Sequence, residues 1–169
     1  PAPIIGESPK RPCILKAIGS SVQYTNPVSQ YYLADGPNSL TDGVRGTNAV
    51  GNYWHGFSGK DMIATIYLGQ AKTIENISLG CLQNYSDWIF LPQSVKFEVS
   101  TDGKFFKEIK TVNNPVDINQ KSAVHNFSAT FTQEKVRYIK VTAKNNLCPP
   151  GHSGAGKPGW LFADEIIVE

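Results

Sequence analysis

The amino-acid sequence predicts an all-β fold, a sandwich or jelly roll of mainly antiparallel strands. The strongest periodicity along the chain is two, which is the spacing of a strand that buries one face. About six to eight short segments have this pattern, and clusters of Gly, Pro, Asn and Asp separate them. No long helical pattern lies between these segments, so the strands should connect across the ends of a sandwich.

The clearest predicted strand is "SVKFEVS", residues 94–100. Its alternation places Val95, Phe97 and Val99 on one face, and the Asp-Gly pair that follows is typical of a hairpin turn. The apolar faces of two other segments consist of Met62, Ala64, Ile66 and Leu68, and of Phe127, Ala129 and Phe131. In chain order, the predicted strands are residues 61–69, 72–82, 94–100, 123–131, 135–143 and 161–169.

Three connections between the predicted strands are long: residues 19–60, 83–92 and 144–159. Loops of this length on a rigid β scaffold usually carry a binding site or cover the ends of the sheets. We therefore expect the functional residues in these loops and not on the faces of the strands.

Length and charge restrict the domain organisation and the partners. A chain of 169 residues can build one substantial core, so a single domain is expected over residues 14–169. Residues 1–13 are rich in proline, lack the apolar region of a secretory signal, and are interpreted as a linker from a preceding domain. The net charge is only +2, with 16 Lys and Arg scattered among 14 Asp and Glu, so neither nucleic acid nor a membrane surface is an expected partner.

The cysteines and histidines do not form a metal-binding motif. Cys13, Cys81 and Cys148 lack a C-x-x-C pair; Cys81 has the setting of a core residue, whereas a Cys13–Cys148 disulfide stays open. His55, His125 and His152 have no H-x-x-x-H spacing, so a zinc site is not expected.

The sequence also gives no positive evidence for catalysis. There is no G-x-S-x-G nucleophile motif. Asp164 and Glu165 are adjacent on a predicted strand, so their side chains should point to opposite faces and not form an acid–base pair.

A loop with oxygen ligands precedes the first long strand. "LTDGVRGT", residues 40–47, offers the side chains of Asp42 and Thr47 and the carbonyls of Leu40 and Arg45. Calcium takes six to eight such oxygens, but the spacing is not that of an EF-hand. Taken alone, the stretch is interpreted as an Asp-Gly turn with a possible metal role.

The connection "QNYSDWIFLP", residues 83–92, has the composition of a sugar-binding loop. Trp88 and Tyr85 could provide an apolar platform, and Asn84 and Asp87 could bind hydroxyl groups. An equally good interpretation is that Trp88 covers the core beneath the loop.

Further candidates for sugar contact lie in the two other long loops. His55 in "YWHGFSG" could face solvent, and Trp54 beside it is a weaker candidate because it also suits packing. His152 in the Gly-rich loop is an outer candidate, whereas Trp160 is interpreted as packing.

Several stretches occur together in a fixed order: "LTDGVRGT", "YWHGFSG", "IYLGQAKTIENISL", "WIFLPQSVKFEVSTDGKFF", "VRYIKVTA" and "WLFADEIIVE". This succession resembles the discoidin, or coagulation factor V/VIII type C, domain. Within that group it is most similar to carbohydrate-binding modules of family 32, in particular those appended to bacterial family 20 glycoside hydrolases, the β-hexosaminidases and chitobiases.

The resemblance implies a galactose-binding-like sandwich, with a five-stranded antiparallel sheet packed on a three-stranded one. It also implies a structural calcium site that joins the early Asp-Gly loop to the last strand. Asp42, Thr47 and Glu165 would supply side-chain oxygens. The carbonyls would come from Leu40, Arg45 and Ala163. Six residues separate Thr47 from Trp54, more than in shorter members of the family.

The function implied by the resemblance is that of a noncatalytic module. It would bind terminal galacto- or N-acetylhexosamine-type sugars through end loops and belong to a larger bacterial glycoside hydrolase, whose catalytic domain would precede it in the chain. Periplasmic, cell-surface or secreted location is implied in the same way. The alternative is a structural accessory domain that packs on the catalytic domain and has no sugar site of its own.

Overall fold

The structure, a computed structural model, describes residues 15–51 and 53–169, and it confirms the all-β prediction. These residues form seven strands and two short 3-10 helices, Ser39–Thr41 and Tyr85–Asp87. The strands are β1 (Ser21–Tyr24), β2 (His55–Ser58), β3 (Met62–Asn84), β4 (Ser94–Ser100), β5 (Lys107–Asn113), β6 (Ser122–Ala143) and β7 (Trp160–Val168). All pairs between them are antiparallel.

Two strands run through the whole sandwich. β3 and β6 pair along most of their length, and their ladder changes register between Tyr67 and Lys72 and again between Ile74 and Asn76. The sequence predicted two separate strands in each of these regions. In the structure each region is one continuous strand, because the break in periodicity is a local irregularity of the ladder and not a turn.

Each half of β3 and β6 belongs to a different layer. Residues 62–67 and 138–143 form one layer with β1, β4 and β5, in the order β1-β3-β6-β4-β5. Residues 72–84 and 122–136 form the other layer with β7, and the short β2 lies at its edge beside β7. The five-on-three arrangement is thus found, with β2 added at one edge.

The core lies between the layers and uses the faces that the periodicity predicted. Val95, Phe97 and Val99 are buried, whereas Lys96 between them is partly exposed. Phe127 and Ala129 are buried in the same core, and Phe131 packs against it from a half-buried position. The other predicted core face is also fully buried: Met62, Ala64, Ile66 and Leu68.

The sequence did not predict the strands at the edges. β5 buries no residue completely, and β1 buries only Val22, so neither has a strong apolar alternation. β2 is four residues long and lies within the connection 19–60. Edge strands pack on few neighbours and therefore leave little periodic signal.

Two predictions concern the chain start and the cysteines. The proposed linker and Cys13 lie outside the described residues, so the Cys13–Cys148 pairing remains a hypothesis. Cys81 is fully buried, as expected of a core residue, and Cys148 is buried as well. In the described part of the chain, no helix has the length and apolar character needed to cross a bilayer.

We predict that Phe97→Ala lowers the free energy of unfolding by about 3–5 kcal/mol, because it leaves a cavity in the core. The matched control is Phe105→Ala, since Phe105 is 83% exposed and its loss should change stability by less than about 0.5 kcal/mol. Urea denaturation of both variants provides the measurement. Equal losses for the two variants would contradict the core assignment.

Candidate functional site

Asp164 and Glu165 of β7 do not point to opposite faces, and the sequence prediction was wrong here. Both side chains are buried, and both accept hydrogen bonds from the loop 42–46. The cause is a bulge: Leu79 pairs with Ile166 and Cys81 pairs with Ala163, so β7 has one more residue than β3 between these pairs. The extra residue turns two consecutive carboxylates toward one loop.

Asp164 forms the inner half of this contact. Its Oδ2 lies 3.2 Å from Nε of Arg45 and accepts a 2.8 Å hydrogen bond from the Gly46 amide. Burial raises the pKa of Asp164, while the Arg45 guanidinium beside it acts in the opposite direction. Arg45 also donates to Oδ1 of Asn126, so the guanidinium links the loop to β6.

Gly80 on β3 leaves the space that this ion pair occupies. A Cβ built there would lie 2.1 Å from Oδ1 of Asp164 and 2.6 Å from the Arg45 guanidinium. Any side chain at position 80 would therefore displace the pair.

Glu165 is the outer half of the contact, and one of its oxygens has no partner. Oε1 accepts a 3.0 Å hydrogen bond from the Gly43 amide, whereas Oε2 is buried without a hydrogen-bond partner among the described residues. Burial, together with the negative charges of Asp42 and Asp164, raises the pKa of Glu165 to about 8. A buried, unpaired carboxylate oxygen that faces other carboxylates is suited to a cation.

The residues predicted to bind calcium are partly brought together. Asp42 acts electrostatically on Glu165, and its Oδ1 accepts from the Val44 amide, which holds the loop in a tight turn. Ala163 is the residue before the bulge on β7. The Leu40 side chain is buried in the core, and its residue comes shortly before Asp42 in the chain. Arg45 lies beside Asp164.

Thr47, like Asp42, is an exposed member of the predicted ligand set. Its hydroxyl accepts a 3.3 Å hydrogen bond from the Ala49 amide within its own turn. Residues 15–51 and 53–169 contain no group of three or more His, Cys, Asp or Glu that could hold a metal ion. A calcium ion here would depend on Asp42 and Glu165 together with hydroxyl and carbonyl oxygens, a donor set that this cation accepts.

Two of the predicted sugar-binding residues lie in the interior, which corrects their assignment. Trp54 is fully buried, and its indole N–H donates to the carbonyls of Thr47 and Ala49. His55 is also fully buried, 3.5 Å from the Tyr24 hydroxyl through Nδ1, so it does not face solvent. Burial lowers the pKa of His55 to about 4, which keeps its ring neutral. Neither side chain offers a surface to a sugar.

Trp88, Tyr85 and His152 form one packed cluster under the loop. The His152 ring lies edge-on to Tyr85, Trp88 and Phe90 and is only 7% exposed. Its Nδ1 accepts from the Gly154 amide, which assigns the proton to Nε2, the donor to the Tyr85 carbonyl at 2.9 Å. The assignment of His152 as an outer sugar contact is therefore corrected.

Trp88 and Asn84 are half-buried, and both side chains already contact other residues of the protein. Trp88 has a left-handed backbone, with φ of 64°, and a Cβ at Gly154 would lie 2.5 Å from its ring. Asn84 accepts a 2.9 Å hydrogen bond from the Ser86 hydroxyl. The Trp88 ring contacts His152 and Gly154 of the neighbouring loop, so it packs between two loops and not on the hydrophobic core.

An open cleft of about 320 Å³ lies beside this cluster, between the loops at one end of the sandwich. Its lining residues come from four separate segments: Tyr32, Val50, Asp87, Ile89, Trp160 and Phe162. Asp87 is exposed and is the member of the predicted sugar-binding set that lines this cleft.

The aromatic walls of the cleft are fixed by mutual packing. The Tyr32 ring lies edge-on to Trp160, with centroids 5.3 Å apart, and against Phe162 at 4.7 Å. Backbone hydrogen bonds join Trp160 to Trp88 and Phe90, which connects the cleft to the loop 83–92. No other described residue forms a side-chain hydrogen bond with the Tyr32 hydroxyl, the Trp160 indole N–H or the Asp87 carboxylate.

Sequence reasoning missed Tyr32 and assigned Trp160 to packing alone. Tyr32 lies in "QYYLADG", inside a connection that was singled out for its length but not for its aromatic residues. Trp160 follows the Gly-rich loop directly and begins β7. An aromatic residue at the point where a long loop meets a strand was the available signal.

Comparisons with known proteins agree with this architecture. The family model described as the F5/8 type C domain matches residues 18–157. No curated protein matches the chain.

Solved structures share the fold at low sequence identity. Chitosan-binding module 1, derived from a chitosanase/glucanase of Paenibacillus sp. IK-5, is 14% identical with a TM-score of 0.60, over 92% of this chain and 98% of that one. CpGH89CBM32-5 from Clostridium perfringens, in complex with GalNAc-β-1,3-galactose, is 16% identical with a TM-score of 0.56, over 88% and 94%. A Ruminococcus gnavus GH29 fucosidase in complex with fucose is 15% identical with a TM-score of 0.57, over 89% of this chain and 25% of that one.

In the presence of a chelator, we predict that stability falls as the pH rises from about 6.5 to about 8. The Glu165 carboxyl has an ordinary pKa of 4.5 and a folded pKa of about 8, so in this range the unfolded chain has lost a proton that the folded chain keeps. His55 has the opposite effect, but only between about 4 and 6.5. Urea denaturation at a series of pH values tests this decline.

The variant Glu165→Gln should flatten this profile, because the amide does not titrate. Asp87→Asn, which removes an exposed carboxylate at the other site, should keep the decline. A profile of the parent protein that superimposes on that of Glu165→Gln above pH 6.5 would contradict the prediction.

Proposed function

Because the chain belongs to the F5/8 type C domain family, we propose that it is a noncatalytic carbohydrate-binding module of a larger glycoside hydrolase. The described residues provide a rigid sandwich with long loops at its ends. Solved structures with the same fold include modules whose names or ligands refer to carbohydrates. These likenesses support the proposal without identifying a sugar.

The observation that carries the proposal is the composition of the loop cleft. Its lining combines the aromatic rings of Tyr32 and Trp160 with polar surface, and Tyr32, Trp160 and Asp87 offer hydrogen-bonding groups that no other described residue uses. A pyranose combines an apolar C–H face with hydroxyl groups at its rim. The cleft offers both kinds of contact within a volume of about 320 Å³.

The charge of the cleft lining limits the class of sugar that the cleft can bind. Among the described residues that line the cleft, Asp87 is the one that carries a charge. A carboxylate accepts hydrogen bonds from sugar hydroxyls but repels uronic and sialic acids. The proposed ligands are therefore not acidic sugars, and within the remaining class we propose terminal sugars of the galacto- or N-acetylhexosamine type.

The proposed partner is a catalytic domain that precedes the module in the same chain. The fucosidase from Ruminococcus gnavus is about four times as long as its matched region, so this fold occurs there within a larger enzyme. A tethered module raises the local concentration of glycan at the catalytic domain even when its own affinity is weak. For the parent we propose a bacterial β-hexosaminidase or chitobiase that is periplasmic, surface-bound or secreted.

For the carboxylates of the bulge we propose a structural calcium site. The support is the buried Oε2 of Glu165, which lacks a partner among the described residues and lies in the field of Asp42. A cation would remove the electrostatic cost of ionising Glu165 and would bind β7 to the loop 42–46. Its role would be to hold the loop and not to contact the sugar.

A specific observation favours the alternative of a structural accessory domain. Trp54, His55 and His152 are buried, and Trp88 is packed on Gly154, so these aromatic residues stabilise the loops from within. An accessory domain needs such stable loops to pack on a neighbour. A structural accessory domain would not require the open cleft or its hydrogen-bonding groups.

We predict that Asp87→Asn and Tyr32→Phe each weaken sugar binding about tenfold or more. Asp87→Asn removes the negative charge and replaces one acceptor oxygen by a donor, and Tyr32→Phe removes the hydroxyl, while both variants keep the shape of the cleft. Isothermal titration with galactose, N-acetylgalactosamine, N-acetylglucosamine and chitooligosaccharides measures the effect. Phe105→Ala, on an exposed ring outside the cleft, is the matched control and should bind as the parent does.

Failure to bind any sugar across a broad glycan array would reject the binding function and favour the accessory role. In that case, deletion of the module from its parent enzyme should lower thermal stability without changing affinity for polymeric substrate. Binding that Asp87→Asn and Tyr32→Phe leave intact would reject the cleft as the site.

We also predict that calcium raises the melting temperature relative to a chelator, in proportion to the logarithm of its concentration above saturation. Asp42→Ala and Glu165→Ala should abolish this response and lower stability, because they remove the two proposed carboxylate ligands. Asp87→Asn should respond like the parent protein. An unchanged response in Asp42→Ala, measured by differential scanning calorimetry, would contradict the assignment.

A further inference from the structure

A shallow groove crosses the solvent face of the five-stranded layer, and none of its residues belongs to the loop cleft. Its volume is about 180 Å³. The lining residues are Ser21 and Gln23 of β1, Thr65 and Tyr67 of β3, and Tyr138 of β6. All five side chains are uncharged and can form hydrogen bonds. We call this feature the sheet-face groove.

An oriented aromatic pair forms one wall of the sheet-face groove. Tyr67 and Tyr138 are directly opposite in the β3–β6 ladder, and their rings stack with centroids 5.0 Å apart and planes inclined by 27°. Gly103 lies against the Tyr138 ring, since a Cβ there would be 2.9 Å from it. The Tyr67 hydroxyl donates to the Gly69 carbonyl at 2.8 Å, and the residue stays 40% exposed. Tyr67 therefore presents a fixed ring to solvent.

The polar residues of the groove lie on β1 and β3. Ser21 pairs with Tyr67 and Gln23 pairs with Thr65 in the β1–β3 ladder. The side chains of Ser21, Gln23 and Thr65 form no hydrogen bond with any other described residue. Unused hydroxyl and amide groups thus lie beside the aromatic wall at the spacing of neighbouring strand residues.

A second hollow, of about 260 Å³, continues the groove and shares Ser21 and Tyr67 with it. Residues 18–20 and 68–69 line its far side together with Lys72. The Lys72 amine donates to the Lys16 carbonyl at 2.7 Å, so a backbone contact already holds this cation. Two hollows that meet at one aromatic ring suit two successive units of a chain more than a single terminal sugar.

We propose that the sheet-face groove binds an internal segment of an uncharged, unbranched polysaccharide. The Tyr67 ring would stack on the apolar face of one sugar, and Gln23, Ser21 and Thr65 would bind hydroxyl groups of that sugar or the next. The groove would hold the polymer along the sheet, whereas the loop cleft would hold a chain end. This site differs from the loop cleft in both residues and ligand length, so it does not rest on the function proposed for the cleft.

The test is titration of the 169-residue chain with chitohexaose, cellohexaose and laminarihexaose, followed by isothermal calorimetry and by NMR spectra of the protein. We expect at least one hexasaccharide to bind more tightly than its monosaccharide. Tyr67→Ala should weaken that binding about tenfold or more, and Tyr67→Phe should retain it because the ring remains. Gln23→Ala, on an exposed residue, provides a second variant if Tyr67→Ala fails to fold.

The matched control is Asp87→Asn, which alters the loop cleft and should leave the Tyr67-dependent binding unchanged. No binding of any of the three hexasaccharides, or equal binding by the parent, Tyr67→Ala and Gln23→Ala, would overturn the proposal. If Tyr67→Ala lowers the stability of the protein but does not weaken hexasaccharide binding, the proposal is wrong and the Tyr67–Tyr138 pair is only a stabilising cross-strand contact. Because Asp87 belongs to the loop cleft, monosaccharide binding that persists in Asp87→Asn would contradict the function of the cleft, and it has no bearing on hexasaccharide binding at the sheet-face groove.

Discussion

The continuous pairing of β3 with β6 is the interaction on which the rest of the structure depends. Both strands cross from one layer to the other, and their ladder changes register where they cross. Every other strand except β2 and β5 pairs with one of these two, so the pairing sets the position of both sheets. The ends of the sandwich, where the loops form the cleft, are therefore held by backbone hydrogen bonds that span the whole domain.

The second constraint is the additional residue in β7. Without the bulge opposite Gly80, alternation would send Asp164 and Glu165 to different faces. With it, both carboxylates are buried against one loop, where the Arg45 guanidinium neutralises the first and the second keeps an unpaired oxygen. β7 also begins with two cleft residues, Trp160 and Phe162, so one strand carries both candidate sites.

Local patterns allowed prediction of the core but not of the contacts between distant segments. Val95, Phe97 and Val99 could be assigned to a buried face because alternation is a property of one strand. The bulge at Asp164 depends on the register with β3, which no pattern within β7 reports. The burial of His55 has the same origin, since β2 is covered by elements remote in sequence. Tyr32 and Trp160, about 130 residues apart, meet only in the folded chain.

The exposed edge formed by β5 has a consequence for how molecules of this protein meet one another. β5 pairs with β4 on one side, and in the described residues no further strand covers its other side. An open strand edge can add a strand from another molecule and so begin aggregation. Lys107, Glu108 and Lys110 place charges along this edge. The charged residues of β5 interrupt its apolar alternation, which is why the strand was not predicted. The same charges therefore also protect the protein from self-association at high local concentration.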